Sequence, residues 1–110
     1  MIDRDPRLAS PHTHGVKLDV GKNRLGLVLS GFSRSLQEVG RVGTFGAEKY
    51  TDNGWMDVPD GESRYLDAML RHVLSNAAGE THDPESGLLH LAHACWNMLA
   101  VLDMKLRRKN

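Results

Sequence analysis

The sequence predicts an all-α protein of three or four helices. Apolar residues recur at spacings of three and four over 25–50, 64–78 and from Ser86 to about Arg108, the period of one helix face. Turn signals fall between these stretches, at Asn53-Gly54, Asp60-Gly61 and Gly79. No stretch shows the alternation of a half-buried strand.

Size and composition narrow the function classes. A chain of 110 residues suits one domain with a modest core. With 40% hydrophobic and 25% charged residues it reads as globular rather than disordered. The 14 basic and 14 acidic residues cancel, which argues against a nucleic-acid polymer as partner, because such binding is driven by counterion release. A local cationic site for a phosphate-bearing small molecule stays compatible with that balance. Cys95 is the lone cysteine, so no intrachain disulfide can form. No signal peptide is recognisable and no apolar run reaches bilayer length, so no membrane association and a cytoplasmic location are expected.

Residues 1–15 hold two prolines, mixed charges and no period, and read as an N-terminal arm, with the folded domain over 16–110. His12 and His14 alternate in that arm, a pattern that solvated side chains adopt more often than metal ligands. In VKLDVGKNR, Lys17, Lys22 and Arg24 crowd around Gly21. Glycine permits close backbone approach and flexible cations gather polyphosphate, so a phosphate site and a solvated loop both fit. Over 25–50 the apolar line is Leu29, Phe32, Leu36, Val39 and Val42; a separate helix over 20–31 would make the fourth. Gly40, Gly43 and Gly46 point to close packing on a neighbouring helix or to a break near Gly46. Glu38 sits beside the apolar line, and Glu48, Lys49 and Tyr50 close the helix.

Trp55 lies among the turns, where it can plug a core edge or stack on a base. Ser63 is the expected N-cap of a helix over 64–78, lined by Tyr65, Met69 and Val73. Arg71 can pair with Asp67 at i, i+4 or reach a phosphate. His72, near the apolar line, suits a buried hydrogen bond or a ligand role.

The most informative stretch is GETHDPESGLLHLAHACWN, Gly79 to Asn97. Acids and a proline at Asp83-Pro84-Glu85 favour a helix start there. On that helix His90 and Asn97 share a face with His93 about 60° away. Leu88, Leu91, Ala92, Cys95, Leu99, Leu102 and Leu106 form the apolar face expected to be buried. Its closing KLRRK suits the helix dipole and needs no nucleic acid. In an antiparallel bundle Glu80 and Asp83 lie near His90, and Glu38 can face them from the first helix. Such oxygen ligands suit Mg2+ or Mn2+, and the histidines suit a base, a supporting hydrogen bond or a softer ion. Cations at 17, 22, 24 and 71 would balance a polyphosphate, and metal-assisted attack of water on it is the matching chemistry.

The blocks GVKLDVGKNR, FGAEKY followed by NGW, YLDAMLRH, and GETHDPESGLLHLAHACWN resemble the small phage dATP/dGTP diphosphohydrolases. These are MazG-like all-α nucleotide pyrophosphohydrolases, known as MazZ in phages that replace adenine with 2-aminoadenine. The blocks match in order over about residues 15–105. The resemblance implies a MazG-like helical bundle completed by oligomerisation as a homodimer or homotetramer. It implies a purine deoxynucleoside triphosphate, dGTP or dATP, cleaved to monophosphate and pyrophosphate with Mg2+ or Mn2+, two or three ions. In such a phage the dGMP would feed 2-aminoadenine nucleotide synthesis, and host cytoplasm would be the location.

The usual MazG pattern has ExxE on one helix and ExxD on a later one, with Asn seven residues after the Asp. Here Glu38 matches the first acid and Arg41 stands at the second. Aligning Asn97 with the later Asn puts His90 at the Asp position and Gly87 at the Glu position, while an ExxD occurs earlier, as Glu80 to Asp83. The expected metal ligands are Glu38, Glu80, Asp83 and Glu85, with His90 joining Glu38, Glu80 and Asp83 in catalysis. The expected substrate contacts are Lys17, Lys22, Arg24 and Arg71 for phosphate and Asn97, Lys49 and Trp55 for sugar or base. The alternatives are a non-catalytic helical nucleotide-binding protein and a plain interaction bundle.

Overall fold

The computed structural model describes residues 18–108. Its elements are α1 (Leu25–Gly31), α2 (Ser33–Lys49), a short 3-10 turn (Gly54–Asp57), α3 (Gly61–Ala77) and α4 (His90–Arg108). Among the described residues the one strand-like feature is an isolated antiparallel bridge between His82 and Leu89, so the fold is all-α. No helix among them is long and apolar enough to cross a membrane. The residues expected as an arm, with His12 and His14, and the phosphate candidate Lys17 lie outside the described residues.

Two compact units meet in sequence at Gly31 and Phe32. The first contains α1, which forms a separate fourth helix. Ahead of it Gly21 adopts φ +84, the left-handed region glycine favours, and Lys22 sits 3.7 Å from Asp19. The long helix expected over 25–50 is thus two helices. Phe32 leaves helical geometry at φ −114, ψ 27, and Gly46, where a break was expected, lies inside α2.

The second unit is built around α4, which packs along α3 and over a shorter stretch against α2. α2 comes closest to Trp96 at Gly43, where an added Cβ would stand 3.4 Å from the indole nitrogen, an ordinary contact distance. Trp96 in turn meets Trp55 and Tyr65 edge-to-face, at centroid distances of 5.9 and 5.6 Å. At the far end, buried Gly61 lets Met104 close on the start of α3, and Glu62 binds Lys105 at 2.7 Å and Arg108 at 3.2 Å.

Three local expectations are corrected. α3 begins at Gly61, not Arg64: Asp60 takes the cap position with φ 54, and the Ser63 hydroxyl instead donates to the Asp60 carbonyl at 3.1 Å. Asp67 and Arg71 do not pair. The helix start at Asp83-Pro84-Glu85 exists, but only as one turn. Asp83 Oδ2 accepts the Ser86 N–H at 2.9 Å and its carbonyl accepts the Gly87 N–H at 2.7 Å. Gly87 then turns to φ +74 and stops the turn. α4 starts afresh at His90.

The face of α4 that is buried also differs from the expected one. His90, Ala92, Ala94, Asn97, Ala100 and Val101 are buried, whereas Leu91, Leu99, Leu102 and Leu106 are each at least half exposed. Small side chains let the neighbouring helices approach, and the leucine row is left outside in the single chain.

Candidate functional site: a histidine–carboxylate cluster beside a groove

The segment between α3 and α4 folds back on itself. Its ends are pinched by Asp83 N–H to the Leu88 carbonyl at 2.7 Å and His90 N–H to the Thr81 carbonyl at 2.9 Å. Gly79, at φ +103, ends the preceding helical exit and allows the reversal. This pinch sets Glu80 beside His90 and brings Asp83 under α3, where His72 projects.

His90 is 3% exposed. Its Nε2 lies 2.6 Å from Glu80 Oε1 and its Nδ1 lies 2.8 Å from His72 Nδ1. An ionised carboxylate only accepts, so the Glu80 contact places the His90 proton on Nε2. In the neutral ring Nδ1 is then a lone pair, and His72 Nδ1–H donates to it. His93 stacks on His72 at a centroid distance of 4.5 Å and an interplanar angle of 10°. Its Nε2 lies 2.7 Å from Ser86 Oγ and 3.9 Å from Asp83 Oδ2. One oxygen of Asp83 and one ring nitrogen each of His72 and His90 lie within 4.8 Å of one another.

Electrostatics favour the unprotonated forms of His72, His93 and Asp83. Burial pushes the His72 imidazole below its ordinary value, and the His93 and His90 rings push it further. Burial does the same to His93, against the opposing charge of Asp83. Burial would raise Asp83, but the Ser86 N–H and hydroxyl and the adjoining imidazoles outweigh it and hold the carboxyl below its usual value.

Beside the cluster runs an open groove of about 560 Å³, between α2 and the 83–89 turn. Gln37, Gly40, Arg41, Thr44, Phe45, Glu48, Ser86 and Leu88 line it. Ser86 joins the two features, because its hydroxyl meets His93.

The expected four-acid metal site is not assembled. Glu38 is held by Arg41 at 3.0 Å, the residue that stands where a second acid was expected. Glu85 is held by Lys49 at 2.9 Å, so an expected metal ligand and an expected substrate contact neutralise each other at the surface. Glu80 stands behind His90. Asp83 alone of the four belongs to a group with the spacing for a metal, and its companions are nitrogen donors. The residues present fit a divalent ion at His72, Asp83 and His90, and do not fit an all-carboxylate cage.

The remaining expectations divide. Asn97 is buried and donates to the His93 carbonyl at 2.7 Å, a bond within α4. Trp55 packs on Trp96, with the Arg107 guanidinium 5.6 Å from its ring. Arg71 is exposed on α3. Lys22 and Arg24 belong to the first compact unit. His72 was expected near the apolar line of α3 with a buried hydrogen bond or a ligand role, and only the fold pairs it with His90. Ser86 was not singled out. Ser86 carried a signal in the Asp-Pro-x-Ser run, an Asp-capped turn that returns its fourth residue to the carboxylate.

Comparison with known proteins was then informative. The family model described as dATP/dGTP diphosphohydrolase, N-terminal, matches residues 12–110. A curated dATP/dGTP diphosphohydrolase of Salmonella phage PMBT28 is 38% identical over 87 residues, 79% of this chain. The match spans 28% of that relative's length. No solved structure matches.

Proposed function

The chain belongs to the dATP/dGTP diphosphohydrolase N-terminal family, and from that premise we propose that it hydrolyses purine deoxynucleoside triphosphates. The substrate is dGTP, dATP or both, and the products are the monophosphate and pyrophosphate. One observation carries the reading: groove and cluster meet at Ser86, whose side chain lines one and whose hydroxyl binds a histidine of the other. The groove has the size of a small-molecule seat. Arg41 and Thr44 supply the cation and hydroxyl that phosphate oxygens require, and Phe45 supplies an apolar wall.

Turnover would depend on a divalent cation, Mg2+ or Mn2+, which Asp83, His72 and His90 would hold. Such an ion would supply polarisation of a phosphoryl oxygen and easier ionisation of water. Glu80 fixes the tautomer of His90. His93, kept unprotonated by burial, accepts a proton from groove water through the Ser86 hydroxyl, the role of a general base. The exposed leucine row of α4 supports assembly as a homodimer or homotetramer. In a phage that replaces adenine with 2-aminoadenine, the dGMP produced would feed synthesis of the modified nucleotide in the host cytoplasm.

The Glu38–Arg41 pair favours a second reading, a nucleotide-binding protein without chemistry of its own. Incubation of the protein with each dNTP and Mg2+ or Mn2+, with mono- and diphosphate products resolved, separates the two. Monophosphate plus pyrophosphate is the expected result. Thermal stabilisation by nucleotide without turnover would replace it with the second reading, and neither effect would reject both.

A further inference from the structure

We propose that His72, His90 and Asp83 bind one divalent transition-metal ion in preference to Mg2+, with Glu80 as the carboxylate that orients His90 from behind. The proposal narrows the metal-dependent reading above, but it stands on binding alone.

Donor type decides the class of ion. Mg2+ demands oxygen ligands and keeps most of its water, whereas imidazole nitrogen suits the ions from Mn2+ to Zn2+. Two of the three donors gathered here are imidazoles. The expected oxygen donors Glu38 and Glu85 are engaged by Arg41 and Lys49.

Placement supplies the second argument. The facing Nδ1 atoms of His72 and His90 are 2.8 Å apart, a hydrogen-bond separation, and an Asp83 oxygen lies within 4.8 Å of a ring nitrogen of each. Three donors from the chain leave further positions on an ion open to water or phosphate oxygens.

The surroundings match those of a metal-ligating histidine, which donates its other ring N–H to a carboxylate. His90 does so to Glu80 at 2.6 Å, from a position that is almost wholly buried. Asp83 is pinned by the Ser86 N–H and by its own backbone bond to Leu88. The ion takes the place of the proton between the two Nδ1 atoms, and neutral His72 keeps its single N–H by carrying it on Nε2 instead.

Calorimetric titration of EDTA-treated protein with Co2+, Mn2+ and Mg2+, with the visible absorption of Co2+ recorded in parallel, tests this without nucleotide. Co2+ is expected to bind on the order of 100-fold more tightly than Mg2+, with visible bands shifted from those of the free ion. Glu80→Ala, at a half-exposed site that leaves the fold intact, is expected to weaken Co2+ by about 10- to 100-fold. His72→Ala is expected to weaken it further, with an unchanged helical circular dichroism spectrum. Equal affinity for Mg2+ and Co2+, Co2+ bands unchanged from those of the free ion, or native Co2+ affinity in folded His72→Ala would each overturn the proposal. Turnover of dNTPs in Mg2+ with no Co2+ preference would remove this inference and leave the enzymatic reading. A Co2+ preference without turnover would do the reverse.

Discussion

Ser86 and His93 meet at 2.7 Å, Oγ to Nε2, and the same Ser86 oxygen accepts the Leu88 N–H at 3.1 Å. The hydroxyl therefore ties the 83–89 turn both to itself and to α4. Ser86→Ala keeps the backbone bond to Asp83 but leaves the Leu88 N–H and a half-buried imidazole nitrogen without partners. Lost bonds of this kind cost about 1–3 kcal/mol. Urea unfolding followed by circular dichroism is expected to show a loss in that range. A midpoint equal to that of the unmodified protein would mean that the hydroxyl holds nothing in place.

Gly43 and Gly46 of α2 are predicted to behave differently. A Cβ on Gly46 meets nothing within 4 Å, so Gly46→Ala gains helix propensity alone, about 0.5–1 kcal/mol. Gly43→Ala brings its methyl to ordinary contact distance from Trp96, and is expected to be neutral or mildly stabilising. Gly43→Val adds two methyls against the indole and should destabilise by about 1–3 kcal/mol. Thermal melts of the three variants check the order, and a stable Gly43→Val would show that α2 does not pack closely on Trp96.

Those glycines also show what was legible in the sequence. Period gave the helices, because each amphipathic face repeats locally. It did not give which face is buried. The leucine row of α4 outweighs His90, Ala94, Asn97 and Val101 in hydrophobicity, yet small residues are what allow α3 and α2 to approach. The acid–histidine stretch was recognisable as one that gathers polar side chains. The pairing of Glu38 with Arg41, one turn on, and of Glu85 with Lys49, on another helix, was not, because neither partner had been weighed against those acids. The His72–His90 meeting joins residues 18 apart across a reversal that depends on Gly79 and Gly87, and no periodicity reports it.

Glu62 gives a prediction in pH. The Lys105 hydrogen bond holds its carboxyl below the ordinary value of 4.5, with Arg108 adding to the effect against an opposing desolvation. The folded state then binds fewer protons than the unfolded one, so the contribution is fully present above 4.5 and is lost as pH falls through the lowered folded value. Glu62→Gln is expected to be less stable than the unmodified protein at neutral pH, with the difference shrinking in acid. Urea midpoints for both proteins across that range test it. A difference that stays constant into acid would assign the loss to packing rather than charge.

The last prediction concerns the surface that one chain leaves uncovered. The fully buried apolar residues among those described are Val42, Ala92, Ala94, Ala100 and Val101, and no large side chain is wholly enclosed. Meanwhile Leu66, Leu70 and Leu74 on α3 and Leu91, Leu99, Leu102 and Leu106 on α4 stand in solvent. An apolar hollow of about 240 Å³, lined in part by Trp55, Trp96, Leu99, Leu102 and Leu106, opens on the same side of α4. Burying a leucine contributes roughly 1.5–3 kcal/mol, so a second copy covering this row supplies the core that one chain lacks. Light scattering behind size exclusion is expected to give a dimer or tetramer. Leu99→Glu with Leu102→Glu places two charges in the covered surface and should yield a smaller species with a lower melting temperature. A monomer for the unmodified protein at micromolar concentration, with melting independent of concentration, would show that this face needs no second copy.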